Sequence, residues 1–224
     1  MGSDKLFHKN KIRKAKELAR HNAKKAPYEI SLILTEGTKT ECQYLREYIR
    51  ANRLNFANIK VTPAKGSAPI SIVEHAIEIA NQMLLYEKIF CVFDFDFHES
   101  FDRALKTLNK FNSNNHLSNN AQIIAITSTP CFELWPLLHY RYTIKPYCAV
   151  GKKSASEILI EDLCKECRSY SKGSFSWIGD LHPKLDVAIA NAKKLKKHND
   201  KTNSKNLVTD MFILMEYLNV LQIR

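Results

Sequence analysis

The chain has 224 residues, 45% of them hydrophobic and 25% charged, enough to bury the core of one soluble domain with or without an appendage. Lys and Arg number 34 against 23 Asp and Glu, a net charge of +11 that points to a polyanionic partner such as nucleic acid. No apolar run approaches the roughly 20 residues that span a bilayer, and the N-terminus lacks the apolar core of a signal peptide, so the expectation is a cytoplasmic protein with no membrane segment.

Residues 4–25 read as a basic arm with a thin stripe of Ala15, Leu18 and Ala19, and Pro27 ends it. Glu29–Thr35 is an apolar, β-branched run and predicts a buried strand, followed by Glu36-Gly37-Thr38-Lys39-Thr40-Glu41 and a helix presenting Leu45, Tyr48 and Ile49 on one face. Gly37 permits a tight strand-to-helix turn, and Thr38 or Thr40 is suited to cap the helix. A strand over Ile59–Thr62 leads through Lys65-Gly66-Ser67, either a plain loop or one whose lysine and amides touch phosphate, into a helix burying Ile72, Val73, Ala76, Ile79, Ala80 and Met83.

Ile89–Phe93 is apolar at every position and predicts a strand buried on both faces. It ends in Asp94-Phe95-Asp96. Residues two apart on a strand point the same way, so both carboxylates aim past its C-terminal end, where open parallel sheets keep their ligands. Two such anions repel unless a cation lies between them, and a hard ion such as Mg²⁺ binds through one or two carboxylates plus substrate phosphate. The competing reading of Asp-x-Asp is a turn or helix cap.

A helix through Phe101, Ala104, Leu105 and Leu108, with Ser100 as its cap, is followed by an Asn-rich loop and a strand over Ala121–Thr127. Pro130 is placed to start the next helix, with Glu133 in its first turn and Phe132, Trp135 and Leu138 as packing residues. After Pro146 the pattern becomes helical, at about 154–168, 183–198 and 206–222, the last with Leu207, Met211, Leu214, Met215, Leu218 and Leu221 as its stripe. The fold class predicted is α/β, a parallel sheet flanked by helices with a helical C-terminal extension. The expected division is a basic N-terminal arm over 1–27, a sheet domain over 28–146 and the extension over 147–224, packed on the same domain and forming a wall of the cleft. The run Lys193, Lys194, Lys196 and Lys197 is either a second nucleic-acid patch or a solvated helix face. Six cysteines without a secretion signal read as reduced thiols, and Cys164-x-x-Cys167 lacks the second pair of a zinc ribbon.

Three segments in order, Glu36-Gly37-x-x-Thr40-Glu41, Asp94-x-Asp96-x-His98 and Ser128-x-Pro130-Cys131-Phe132-Glu133-Leu134-Trp135-x-x-x-His139, resemble the RloB-like proteins, which look like a branch of the toprim nucleases. Cys-Phe-Glu-Leu-Trp is the most specific; Glu-Gly and Asp-x-Asp are common to toprim domains. The resemblance implies a toprim-like, Rossmann-like sheet in which Glu36 and the pair Asp94 and Asp96 bind Mg²⁺, with Mn²⁺ as its substitute, for phosphodiester chemistry. It also implies a place in anti-phage defence beside an ATPase partner subunit. Glu41 falls one residue from where related toprim nucleases carry another acid. Ser128, Glu133 and His139 match the family's own motif without an assigned role.

The resulting expectation is a metal-dependent nuclease acting on DNA or RNA, tRNA included. Asp94 and Asp96 hold the metal, Glu36 binds it or acts as general base, and Glu41 and Glu133 serve a second ion or orient water. Lys65, His98, Ser128 and His139 are the candidate substrate-binding residues. The alternative is a non-catalytic nucleic-acid-binding or regulatory subunit of a defence complex. No tyrosine stands out as a topoisomerase nucleophile, and the zinc pattern of a primase is missing. Met and Leu on the last helix are compatible with a homo-oligomer.

Overall fold

The apolar runs pair side by side into one five-stranded sheet in the order β2-β1-β3-β4-β5. Its strands are β1 (Ser31–Thr35), β2 (Ile59–Pro63), β3 (Lys88–Asp94), β4 (Gln122–Thr129) and the short β5 (Val208–Thr209). The computed structural model describes residues 29–95, 99–114, 117–171 and 173–222; the basic arm, Asp96 and His98 lie outside the described residues. The first four strands are parallel, and β5 joins β4 antiparallel.

Burial on both faces explains why β3 has no polar alternation. Ile89, Cys91 and Phe93 enter one apolar cluster with Leu32 and Leu34 of β1, beneath α2 (Pro69–Gln82) and α3 (Phe101–Asn114). Phe90 and Val92 point the other way, into a cluster with Ile33 and with α1 (Thr40–Ala51). The chain leaves β1 toward β2 on one side and returns to place β3 on the other. The strand order therefore reverses between β1 and β3, and the crevice at their carboxyl ends is the position where such sheets bind ligands.

The remaining helices are α4 (Leu134–Leu138), α5 (Ala155–Glu166), α6 (Ile178–Leu181), a 3₁₀ turn (His182–Lys184), α7 (Leu185–Thr202) and α8 (Met211–Gln222). Leu159, Leu163, Leu195, Leu214 and Leu218 share the cluster of α1, so this part covers the same sheet face as α1. Two expectations are corrected here. The last helix begins at Met211 rather than 206, because Val208 and Thr209 pair with β4 and Asp210 Oδ2 accepts the Thr127 hydroxyl (2.7 Å) and N–H (3.3 Å). Leu207 is buried ahead of that strand, which is why it fitted the helical stripe. The helix expected at Pro130 begins at Leu134, with a cis peptide between Thr129 and Pro130 and Glu133 at the N-cap. Among the described residues no helix is long and apolar enough to cross a membrane.

Candidate active site

Glu36 is held by the strand beside it. Its N–H continues the ladder to Val92 O of β3 (3.0 Å), and its Oε2 accepts the Asp94 N–H (3.0 Å), so the carboxylate is positioned by a rigid strand end and not by a mobile loop. Thr35 Oγ1 donates to Gly37 O (2.8 Å) and tightens the turn. Neither Thr38 nor Thr40 caps α1: Lys39 occupies the N-cap without a side-chain cap bond, and Thr40 is the buried first helical residue. A Cβ on Gly37 would stand 2.9 Å from Glu41 Oε2, so the bare glycine makes room for the Glu41 carboxylate folded back over the loop.

Asp94 ends β3 half-buried. Burial pushes its carboxyl well above the usual carboxylate range; Glu41, Glu36 and Glu133 raise it further in that order, against one hydrogen bond from the Phe132 backbone. Four carboxylates from three segments at the sheet edge thus lie within electrostatic reach of Asp94's position. Glu133 is buried and accepts the Tyr170 hydroxyl on Oε1 (2.7 Å). Burial, then the Glu133 charge, raises Tyr170 far above an ordinary phenol. Burial, Glu133 and Asp94 also push the Cys131 thiol well up, so it stays protonated at neutral pH and is no nucleophile.

These groups line a cavity of about 390 Å³ at the crevice between β1 and β3. The Glu36–Glu41 loop, Ser67, Asp94, Cys131 and Glu133 form part of it, and Ser156 and Ile160 of α5 close it, the wall expected from the C-terminal helices. Among the described residues no three His, Cys, Asp or Glu side chains form a ready metal-ligand cluster. The anionic donors are all carboxylate oxygens, since the Cys131 thiol is held protonated, which suits a hard divalent cation over a soft one, and a cation would relieve the repulsion raised on Asp94.

The other candidates fall elsewhere. Lys65 pairs with Glu78 (3.4 Å) away from the cavity, and the loop reaches the cavity through Ser67 instead, after Gly66 turns at φ +87. Ser128 is corrected from a substrate contact to a strand fastener: it is buried, with its Oγ 3.3 Å from Thr209 Oγ1 across β4 and β5. His139 is corrected likewise. It is 2% exposed, packed against Trp135 (ring centroids 4.9 Å) and Tyr44 (6.4 Å). Its Nδ1 lies 2.9 Å from Trp135 O, and since a carbonyl only accepts, the proton sits on Nδ1. The basic run on α7 is mostly engaged within the chain: Lys193 with Glu216, Lys196 with Asp200 (3.3 Å), and Lys194 over the Tyr142 ring (4.2 Å). Cys164 is an exposed and Cys167 a buried free thiol, as expected.

Sequence reasoning missed Lys39, Ser156 and Tyr170. Ser154-Ala-Ser156-Glu157 carried a readable capping box, in which Glu157 N–H donates to Ser154 Oγ (3.2 Å) and Ser154 N–H to Glu157 Oε2 (2.7 Å). That motif announces where α5 starts but not which sheet edge it faces. Tyr170 had no local signal at all.

The family model described as RloB-like protein matches residues 31–218. The chain belongs to the RloB-like family. No curated protein and no solved structure matches it. The match to RloB-like proteins takes in all four cavity carboxylates and also α5 to α7, so the wall built by Ser156 and Ile160, with Tyr170 behind Glu133, lies within the family's span.

Proposed function

We propose that this RloB-like protein is a Mg²⁺-dependent nuclease, with Mn²⁺ as substitute, that hydrolyses phosphodiester bonds of DNA or RNA, tRNA included, as the effector of an anti-phage defence system acting beside an ATPase partner. The observation that carries this reading is the meeting of Glu36, Glu41, Asp94 and Glu133 at one cavity on the strand-order reversal, with the charged form of Asp94 disfavoured there. Asp94, Asp96 and Glu36 would hold the ion, which when bound supplies Lewis-acid charge to the phosphoryl oxygens. Glu36, anchored through Oε2, would hold the ion or serve as general base, while Glu41 and Glu133 would serve a second ion or orient the attacking water. Tyr170 keeps Glu133 in place by its hydrogen bond.

The alternative, a non-catalytic nucleic-acid-binding or regulatory subunit, is supported by the net charge of +11, which favours a polyanionic partner without requiring catalysis. Incubation of the full chain with tRNA, single-stranded and duplex DNA and RNA separates the two. Cleavage that stops in EDTA and returns with Mg²⁺ or Mn²⁺ is expected; salt-sensitive binding with every substrate intact, also with the ATPase partner present, favours the alternative.

Gly37→Ala gives a finer test. The new methyl displaces the Glu41 carboxylate, the far end of a flexible side chain, so cleavage should fall about tenfold while the melting temperature stays within about 2 °C of wild type. Unchanged cleavage would remove Glu41 from the active set.

A further inference from the structure

Beside the four carboxylates, the cavity lining includes the hydrogen-bond donors Thr38, Lys39, Ser67 and Ser156. Lys39 is the sole cationic side chain among the described lining residues. It sits between Glu36 and Glu41 in sequence, at the N-cap of α1, and is exposed toward solvent.

A turn from a distant part of the chain passes beside its stem. Gly173, at φ +89, lies so close that a Cβ there would meet Lys39 Cδ at 3.7 Å, in a turn closed by Ser174 N–H to Ser171 O (3.0 Å). Lys39 thus lines the cavity beside the carboxylates while remaining exposed to solvent and to an incoming substrate.

The geometry points to Lys39 as a catalytic residue that contacts a non-bridging oxygen of the scissile phosphodiester, with the Ser67 hydroxyl as a neighbouring donor; this rests on the nuclease reading above. A site lined by four carboxylates repels a phosphodiester, and a bound divalent cation offsets only part of that charge. An ammonium on the substrate side supplies the rest. In the reaction the water oxygen forms the new P–O bond and the bridging P–O bond breaks. The water's proton passes to a cavity carboxylate, and the leaving oxygen takes a proton from solvent. Lys39 transfers no proton in this step and stabilises the charge that spreads over the non-bridging oxygens.

The test uses the full chain with Lys39→Met, Lys39→Arg and, as a control on the opposite sheet face, Lys106→Met on α3. Lys39→Met is expected to lower kcat by about 10²-fold or more, Lys39→Arg to recover part of it, and Lys106→Met to match wild type. The Mg²⁺-dependent rise in melting temperature should survive in all three, because the carboxylates are untouched. A second arm needs no turnover: anisotropy of a labelled oligonucleotide in Ca²⁺ should show about tenfold weaker binding to Lys39→Met. Cleavage and binding both within about threefold of wild type overturn the assignment. A wild type that binds but never cleaves counts against the nuclease reading instead, and the anisotropy arm then still decides whether Lys39 meets the phosphate.

Discussion

Asp94→Asn is expected to lower Mg²⁺-dependent cleavage about 10³-fold or more and, in the same protein without metal, to raise the melting temperature at pH 7. The first effect follows from removing a proposed ligand whose charge the ion requires. The second follows from the company Asp94 keeps. Burial and then Glu41, Glu36 and Glu133 hold its folded pKa above the unfolded value, so the native chain binds the proton more tightly than the unfolded one. Stability therefore falls as pH rises from the ordinary carboxylate range through the raised folded value, and the wild type carries that penalty at neutral pH. Asparagine does not, and it keeps the backbone N–H that Glu36 accepts. A gain on the order of 1–2 kcal/mol, about 2–8 °C in a chain of this size, is expected by calorimetry in EDTA. Mg²⁺ at about 100 times its dissociation constant should then stabilise the wild type by about 2.7 kcal/mol and the variant far less, reversing their order. A variant that melts at or below wild type without metal, or gains as much from Mg²⁺, would show that Asp94 is an ordinary strand-end residue.

The second large effect is acid sensitivity through His139. Burial drives its imidazole down to about 4 from 6.5, opposed by the Trp135 carbonyl. Between those values the unfolded chain binds the proton and the native one does not. The contribution of His139 is therefore complete above about pH 6.5 and is lost as pH falls toward 4. Between pH 7 and pH 5 it amounts to about 2 kcal/mol. Asp94 changes in the opposite sense over part of that range, so the comparison must be between variants and not within one curve. In His139→Phe, which keeps an aromatic ring against Trp135 and Tyr44, the drop in urea midpoint stability from pH 7 to pH 5 should be smaller than in wild type by about that amount. Equal drops in the two proteins would mean that the imidazole is solvated and accessible, and would return His139 to the substrate side.

The two predictions separate residues that sit in one motif. Glu133 and His139 belong to the same stretch, yet the first lines the cavity and the second is locked into the core behind it. Nothing in the order Glu133-Leu134-Trp135-Pro136-Leu137-Leu138-His139 separates a glutamate that lines the cavity from a histidine buried behind it. The distinction comes from α4, whose every residue is buried, so that the helix points its start at the sheet edge and its end into the interior.

Residue pattern alone determined a good deal. The apolar run before Asp94 specifies a strand covered on both sides, Gly37 permits a tight strand-to-helix turn, and acids after successive strands specify anionic chemistry at one sheet edge, because these are local consequences of side-chain alternation and chain stereochemistry. Only the tertiary structure decided that β1 and β3 are neighbours, so that Glu36 bonds the Asp94 backbone, and that Ser67, Lys39 and the start of α5 face the carboxylates while Lys65, Ser128 and His139 do not. It also added β5, whose two residues are too few to carry any periodic signal. Such choices depend on strand order and on which helix covers which face. They are settled by burying apolar surface between segments far apart in the chain, a condition that no local stretch of residues encodes.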